Sequence, residues 1–88
     1  MELNNSTVLI TGGSSGIGFE MAKRLIQKKN KVIICSRSEN KLQRAKSAIP
    51  EVEIYQCDIS KLDECKALAD WVKKKYDGCN VLINNWCQ

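Results

Sequence analysis

The sequence predicts an α/β fold, a doubly wound parallel sheet in the order βαβαβαβ, from three observations. Short β-rich runs and amphipathic helical periods alternate along the 88 residues. Three of the four β-rich runs are nearly continuous in apolar character, as strands covered on both faces are. Turn and capping signals separate the runs at short intervals. Parallel strands joined by right-handed crossovers, with helices on both faces, satisfy such an alternation. One domain over residues 1–88 is expected, because a chain this short supports a single small core and buries only about two-thirds of its unfolded surface.

The first strand is read at Thr7 to Ile10 (TVLI), and the helix after it is marked by Ile17, Met21, Ala22, Leu25 and Ile26. The second strand is Lys31 to Cys35 (KVIIC), followed by a helix marked by Leu42, Ala45 and Ile49. The third is Val52 to Cys57 (VEIYQC), followed by a helix marked by Leu62, Cys65, Ala69, Val72 and Tyr76. Asn80 to Ile83 (NVLI) is the fourth strand. The helical stripes are expected to be core faces. Ser36 with Glu39, and Ser60 with Asp63, have the spacing of capping boxes, while Pro50 and Gly78 follow helix ends.

Composition excludes several classes. Hydrophobic residues make up 43% and charged residues 27%, and no apolar run nears the roughly 20 residues a membrane helix needs. The start MELNNSTVLI has no basic cluster and does not read as a signal peptide, so a cytoplasmic protein without membrane attachment is expected. Five cysteines (Cys35, Cys57, Cys65, Cys79, Cys87), with no C-x-x-C pair and no histidine, point to reduced, mostly buried thiols and no metal site. The net charge of +4 comes largely from Lys28 to Lys31 and Lys73 to Lys75, where cations suit helix ends. With no interleaved aromatics and a pI of 8.9, a nucleic-acid partner ranks last.

The stretch TGGSSGIG (Thr11 to Gly18) carries the functional reading. A glycine-rich turn between a strand and an amphipathic helix exposes backbone N–H groups at the helix's positive end, which is an anion site. Gly12 permits the tight turn, Gly16 lets a pyrophosphate approach, and Gly18 lets the helix sit close to the sheet. A Walker-type loop is excluded, because Phe19 stands where its lysine must be. The alternative is a tight turn that holds no ligand.

Thr-Gly-x-x-x-Gly-Ile-Gly, CDIS after the third strand and the paired Asn84-Asn85 after the fourth resemble the short-chain dehydrogenase/reductase family. The resemblance implies an oxidoreductase on a Rossmann fold, of which this chain matches the cofactor-binding half: four strands in the order 3-2-1-4, an incomplete sheet. It implies that Thr11, Gly12, Ser14, Ser15, Gly16, Ile17 and Gly18 line the pyrophosphate and ribose, that Asp58 and Ile59 face the adenine, and that Asn84 and Asn85 hold the fourth strand beside the cofactor. Each has a plainer reading: Ser14 and Ser15 as helix caps, Asp58 as support for the turn before Ser60, Asn84 as a strand end.

Cofactor choice turns on the end of the second strand, where an acid favours NAD and an arginine accommodates the extra phosphate of NADP. Ser36 and then Arg37 stand there, so NADP is expected, with Arg37 as the charge partner and Ser36 as a hydrogen-bond donor. An exposed arginine at a helix start is the alternative. The family's catalytic serine and Tyr-x-x-x-Lys find no match: Ile59 stands four residues after Tyr55, and Asn80 four after Tyr76. No turnover is expected of these residues alone. Trp86 and Cys87 stand where the family has small residues, which reads as a truncation or a shift of reading frame. The fourth strand would then be an open edge, so self-association is expected. The first reading is an NADP-dependent reductase or dehydrogenase of a small alcohol or carbonyl; the second is a non-enzymatic nucleotide-binding or interaction piece.

Overall fold

The computed structural model describes residues 6–12, 16–76 and 81–84. Gly13, Ser14, Ser15, Gly78, Cys79, Asn80, Asn85, Trp86 and Cys87, singled out in the sequence, lie outside the described residues. In chain order the elements are β1 (Thr7–Thr11), α1 (Gly16–Gln27), β2 (Lys31–Ser36), α2 (Glu39–Ala48), β3 (Glu53–Gln56), α3 (Leu62–Tyr76) and β4 (Val81–Asn84). The strands pair in parallel in the order β3-β2-β1-β4. Val8 lies beside Val32 and Val81, and Ile34 beside Ile54.

Period-two alternation divides the strand residues between two cores. Val8, Ile10, Val32 and Ile34 pack with Ala22 of α1, Leu42 and Ala45 of α2, and Ile49 and Val52. Ile33, Cys35 and Cys57 pack on the other face with Leu68 and Val72 of α3. Both faces of β2 are therefore covered, which is why its apolar run is continuous. Burial of each Val, Leu or Ile side chain here contributes about 1.5–3 kcal/mol.

Several sequence expectations are corrected. Ser36 does not cap α2: it is still a strand residue, paired with Gln56, and its carbonyl accepts the Cys57 N–H at 3.0 Å. The cap is Ser38, extended at φ −94° and ψ 110°, whose hydroxyl accepts the Lys41 N–H at 3.3 Å. Ser36 Oγ instead accepts from the Ser38 N–H at 3.2 Å. At α3 the first backbone bond runs from Cys65 N–H to the Lys61 carbonyl, so Lys61 is the cap, and the Ser60 hydroxyl donates to Asp58 Oδ1 at 2.7 Å. Ile17 and Leu62, assigned to core stripes, are 74% and 70% exposed. Both lie in the first turn of a helix, where the chain has just left the end of a strand and little sheet surface remains to cover it. Ala69 is also exposed; the buried stripe of α3 runs through Leu68 and Val72 instead.

β3 lies at one edge of the sheet, and an aromatic and ionic cluster fills its flank. Tyr55 and Trp71 rings lie 4.8 Å apart, and Trp71 meets Tyr76 edge-on at 5.9 Å. Glu53 accepts from the Tyr76 hydroxyl at 3.0 Å and pairs with Lys75, whose ammonium also sits 5.2 Å over the Trp71 ring. A charged pair on an edge strand also discourages pairing with other chains.

The exit from α1 is closed by a residue that the sequence pattern did not single out. Lys29 adopts φ 67°, the left-handed turn that ends a helix, and Asn30 follows it, 5% exposed. Asn30 Oδ1 accepts from Ser6 N–H at 3.0 Å, and Asn30 Nδ2 donates to the Leu25 carbonyl at 3.0 Å. One amide thus ties the end of α1 to the start of β1.

Asn30→Ala is expected to destabilise the chain by about 1–3 kcal/mol in urea unfolding, since the Ser6 N–H loses its side-chain acceptor and the Leu25 carbonyl, which also accepts from the Lys28 and Asn30 N–H groups, loses one of its donors; an unchanged midpoint would contradict this role. Glu53 is held below its ordinary value by the hydrogen bond from Lys75, so the folded state favours its ionised form. That contribution is complete above the ordinary carboxylate range and is lost as pH falls through the lowered folded value. The melting temperature of the wild type should therefore drop more on acidification below about pH 5 than that of Glu53→Gln, whereas parallel curves would show the pair to be inert.

Candidate nucleotide-binding site

Parallel strands bring all their carboxyl ends to one edge of the sheet. The register sets Thr11 beside Cys35 and Asn84, and Ser36 beside Gln56. The chain leaves β1 toward β2, then returns from β3 to the far side of β1 as β4. Where the winding reverses, the connections diverge and leave a crevice outside the carboxyl ends, which is where open α/β sheets take ligands.

The turn from β1 into α1 borders this crevice. Gly12 has φ 70°, and its N–H donates to the Cys35 carbonyl at 2.8 Å, fixing the turn to β2. Gly16 opens α1 at φ 64°, a conformation that glycine adopts without strain, and among the described residues, its chain neighbours and its own helix backbone aside, no atom lies within 4 Å of where a β-carbon would stand. The backbone is thus open to close approach. No acid occupies the first turn of α1, so its positive end is not neutralised from within. Ile17 is exposed beside it, while Gly18 is buried on the sheet side with Ala22.

Ser36 and Arg37 end β2. Arg37 is exposed, and its guanidinium forms no ion pair among the described residues. Its carbonyl accepts from Gln56 Nε2 at 3.1 Å, a strut between the ends of β2 and β3. Asp58 and Ile59 follow β3. Asp58 Oδ1 accepts both the Ser60 N–H at 3.0 Å and the Ser60 hydroxyl at 2.7 Å. These bonds hold the Asp58 carboxyl below the usual carboxylate range, with lesser contributions from the charges of Arg37 and Lys61. Asp58 does support the turn before Ser60.

The loop after β3 is held from α3. Glu64 Oε1 accepts the Asp58 N–H at 2.9 Å, and Cys65 Sγ donates to the Ile59 carbonyl at 3.2 Å. Gln56, Glu64 and Cys65 were not marked as site residues in the sequence, because each acts on a backbone group whose position only the folded loop defines.

Cys35 and Cys57 lie buried in the core that packs against α3. Burial, then the neighbouring Cys57, pushes the Cys35 thiol up to about 12, and burial also raises Cys57. Both are protonated at neutral pH and poor nucleophiles. Cys35, Cys57 and Cys65 are free thiols, and among the described residues no cluster of three ligating side chains suits a metal. No helix among the described residues is long and apolar enough to cross a membrane. At the opposite edge of the sheet a groove of about 460 Å³ is lined by Lys29, Lys31, Lys46, Glu51, Glu53 and Tyr76. Its charges are mixed, and Lys46 Nζ already donates to the Val52 carbonyl at 2.6 Å.

The family model for short chain dehydrogenase matches residues 6–87. The chain is 51% identical over 85 residues to the uncharacterized oxidoreductase DltE of Bacillus subtilis, covering 97% of this chain and 34% of that protein. It superimposes on 2-keto-3-deoxy-D-gluconate dehydrogenase from Streptococcus agalactiae with a TM-score of 0.90 at 23% identity, covering 98% of this chain and 34% of that one, a likeness of fold. An actinorhodin polyketide ketoreductase solved with NADPH gives a TM-score of 0.89 at 32% identity, covering 96% of this chain and 34% of the other. The chain spans about a third of the length of these proteins. The glycine turn, the carboxyl-edge crevice and the match over residues 6–87 together make this chain a member of the short-chain dehydrogenase family, with its Rossmann-like fold.

Proposed function

We propose that this chain supplies the dinucleotide-binding face of an NADP-dependent oxidoreductase that transfers hydride between the nicotinamide and a small alcohol or carbonyl compound. The observation that carries this reading is the placement of Arg37, with an unpaired guanidinium among the described residues, at the carboxyl edge together with the open Gly16 backbone and Asp58. The residues present suit the cofactor: a helix start without acids for the pyrophosphate, a cation for the 2′-phosphate, and a carboxylate with an adjacent backbone N–H for the adenine.

When bound, NADPH supplies the hydride. Thr11, Gly12, Ser14, Ser15, Gly16, Ile17 and Gly18 are assigned to the pyrophosphate and ribose, Ser36 and Arg37 to the 2′-phosphate, Asp58 and Ile59 to the adenine, and Asn84 and Asn85 to holding the fourth strand beside the cofactor. The Tyr-x-x-x-Lys pair does not occur in these 88 residues, and we assign proton transfer to none of them. The NADPH bound to the related ketoreductase supports the choice of cofactor. We also propose that the chain self-associates, in which case sedimentation should detect dimers or larger species; a strictly monomeric chain would refute this.

Titration of the chain with NADPH and NADH should show a preference for NADPH of about tenfold or more, consistent with a charge-assisted contact. Arg37→Glu should abolish that preference while leaving NADH binding intact. Equal affinities in the wild type, or a preference that survives the substitution, would refute the assignment. Gly16→Val, which forces a branched side chain into φ 64°, should weaken both dinucleotides, and unaltered affinity would remove Gly16 from the site.

A further inference from the structure

We propose that Glu64 is a positioning residue that sets base selectivity: by capturing the Asp58 N–H, its carboxylate fixes Asp58 and Ile59 as an ordered acceptor–donor pair for the edge of adenine. The proposal rests on the nucleotide-binding reading above and deepens it. Just past β3 the ladder to β2 ends with Cys57 N–H on the Ser36 carbonyl, and the next N–H, that of Asp58, has no strand partner. Glu64, in the first turn of α3, reaches back six residues to accept it at 2.9 Å, while Glu64 Oε2 lies 3.8 Å from Lys61 Nζ.

The rest of the loop is tied off in the same manner. The Asp58 carbonyl accepts the Lys61 N–H at 3.0 Å, Asp58 Oδ1 takes both bonds from Ser60, and the Ile59 carbonyl accepts from Cys65 Sγ. Of the polar groups of Asp58 and Ile59, two remain without a hydrogen bond among the described residues: Asp58 Oδ2, an acceptor, and the Ile59 N–H, a donor. Adenine offers a donor at its 6-amino group and an acceptor at N1, the complement of that pair. Hypoxanthine offers an acceptor at O6 and a donor at N1, and clashes with it at both points. A site with fixed polar groups rejects the mismatched base because those groups would be left unpaired. If Glu64 releases the Asp58 N–H, the pair loses its fixed spacing and with it the discrimination.

The test is titration of the chain with NADPH and with its hypoxanthine analogue, for wild type, Glu64→Ala and Glu64→Gln, alongside amide exchange at Asp58. The wild type should prefer the adenine form by about tenfold or more, and Glu64→Ala should reduce the ratio to within about twofold, because general loosening would weaken both ligands alike. Glu64→Gln, which retains an accepting oxygen, should keep most of the ratio. The Asp58 amide should exchange about tenfold faster in Glu64→Ala than in the wild type. Alanine suits a helix, and should that variant nonetheless fail to fold, Glu64→Asp, equal in charge and one methylene shorter, is expected to show the same loss of selectivity. A ratio unchanged in Glu64→Ala or Glu64→Asp overturns the proposal while leaving nucleotide binding intact. Equal wild-type affinity for the two bases overturns the proposal alone, and a wild type that binds neither dinucleotide overturns both it and the reading on which it rests.

Discussion

Parallel pairing of β1 with β2 and with β4 is the constraint on which the rest of the structure depends. It sends every strand's carboxyl end to one edge, so the helix starts and the loops that follow β1, β2 and β3 converge there without any long-range contact being built for the purpose. It also requires a helix to cross over after each strand, and those helices bury the apolar faces of the sheet. Val8, Ile10, Val32 and Ile34 on one face and Ile33 and Cys35 on the other are both the hydrophobic core and the alignment that sets Gly16, Arg37 and Asp58, which follow β1, β2 and β3, at the same carboxyl edge of the sheet.

A second layer of short bonds refines that alignment. The register fixes strand positions to within a residue, but the residues beyond the strand ends need their own anchors. Gln56 holds the Arg37 carbonyl, Ser36 receives the Ser38 N–H, and Glu64 and Cys65 hold the loop after β3. All of these are side chains acting on backbone groups, so their effect is to restrict the path of the loops while leaving the groups that face the crevice uncommitted. The buried thiols have no such part: with Cys35 raised to about 12 they serve as small apolar fillers.

Much of this was legible in the sequence, for physical reasons that differ by element. The continuous apolar run Val32 to Cys35 announces a strand covered on both sides, and the structure buries all four residues. TGGSSGIG announces a strand-to-helix turn because only glycine relieves strain at positive φ, and Gly12 and Gly16 adopt it. Caps were less legible. Ser36 and Ser38 are both competent caps by residue type, and the choice between them was made by the pairing of Ser36 with Gln56, a contact 20 positions apart that no local spacing encodes. The first turns of α1 and α3 defeated the periodicity argument in the same way: Ile17 and Leu62 keep helical phase with the core but stand beyond the sheet that would bury them. Glu64 was invisible because an acid in a first helical turn is common for dipole reasons alone, and its reach to Asp58 depends on a loop whose path only the fold defines.

The most direct test of the account is amide chemical-shift mapping of the chain as adenosine 2′,5′-bisphosphate is added. This ligand carries the adenine and the 2′-phosphate but no nicotinamide, so it probes only the carboxyl edge described above. Perturbations concentrated at Gly16 to Gly18, Ser36, Arg37 and Cys57 to Ser60 are the result the account predicts. Perturbations centred on Lys29, Lys31 and Lys46 at the opposite edge, or none at saturating ligand, would contradict it.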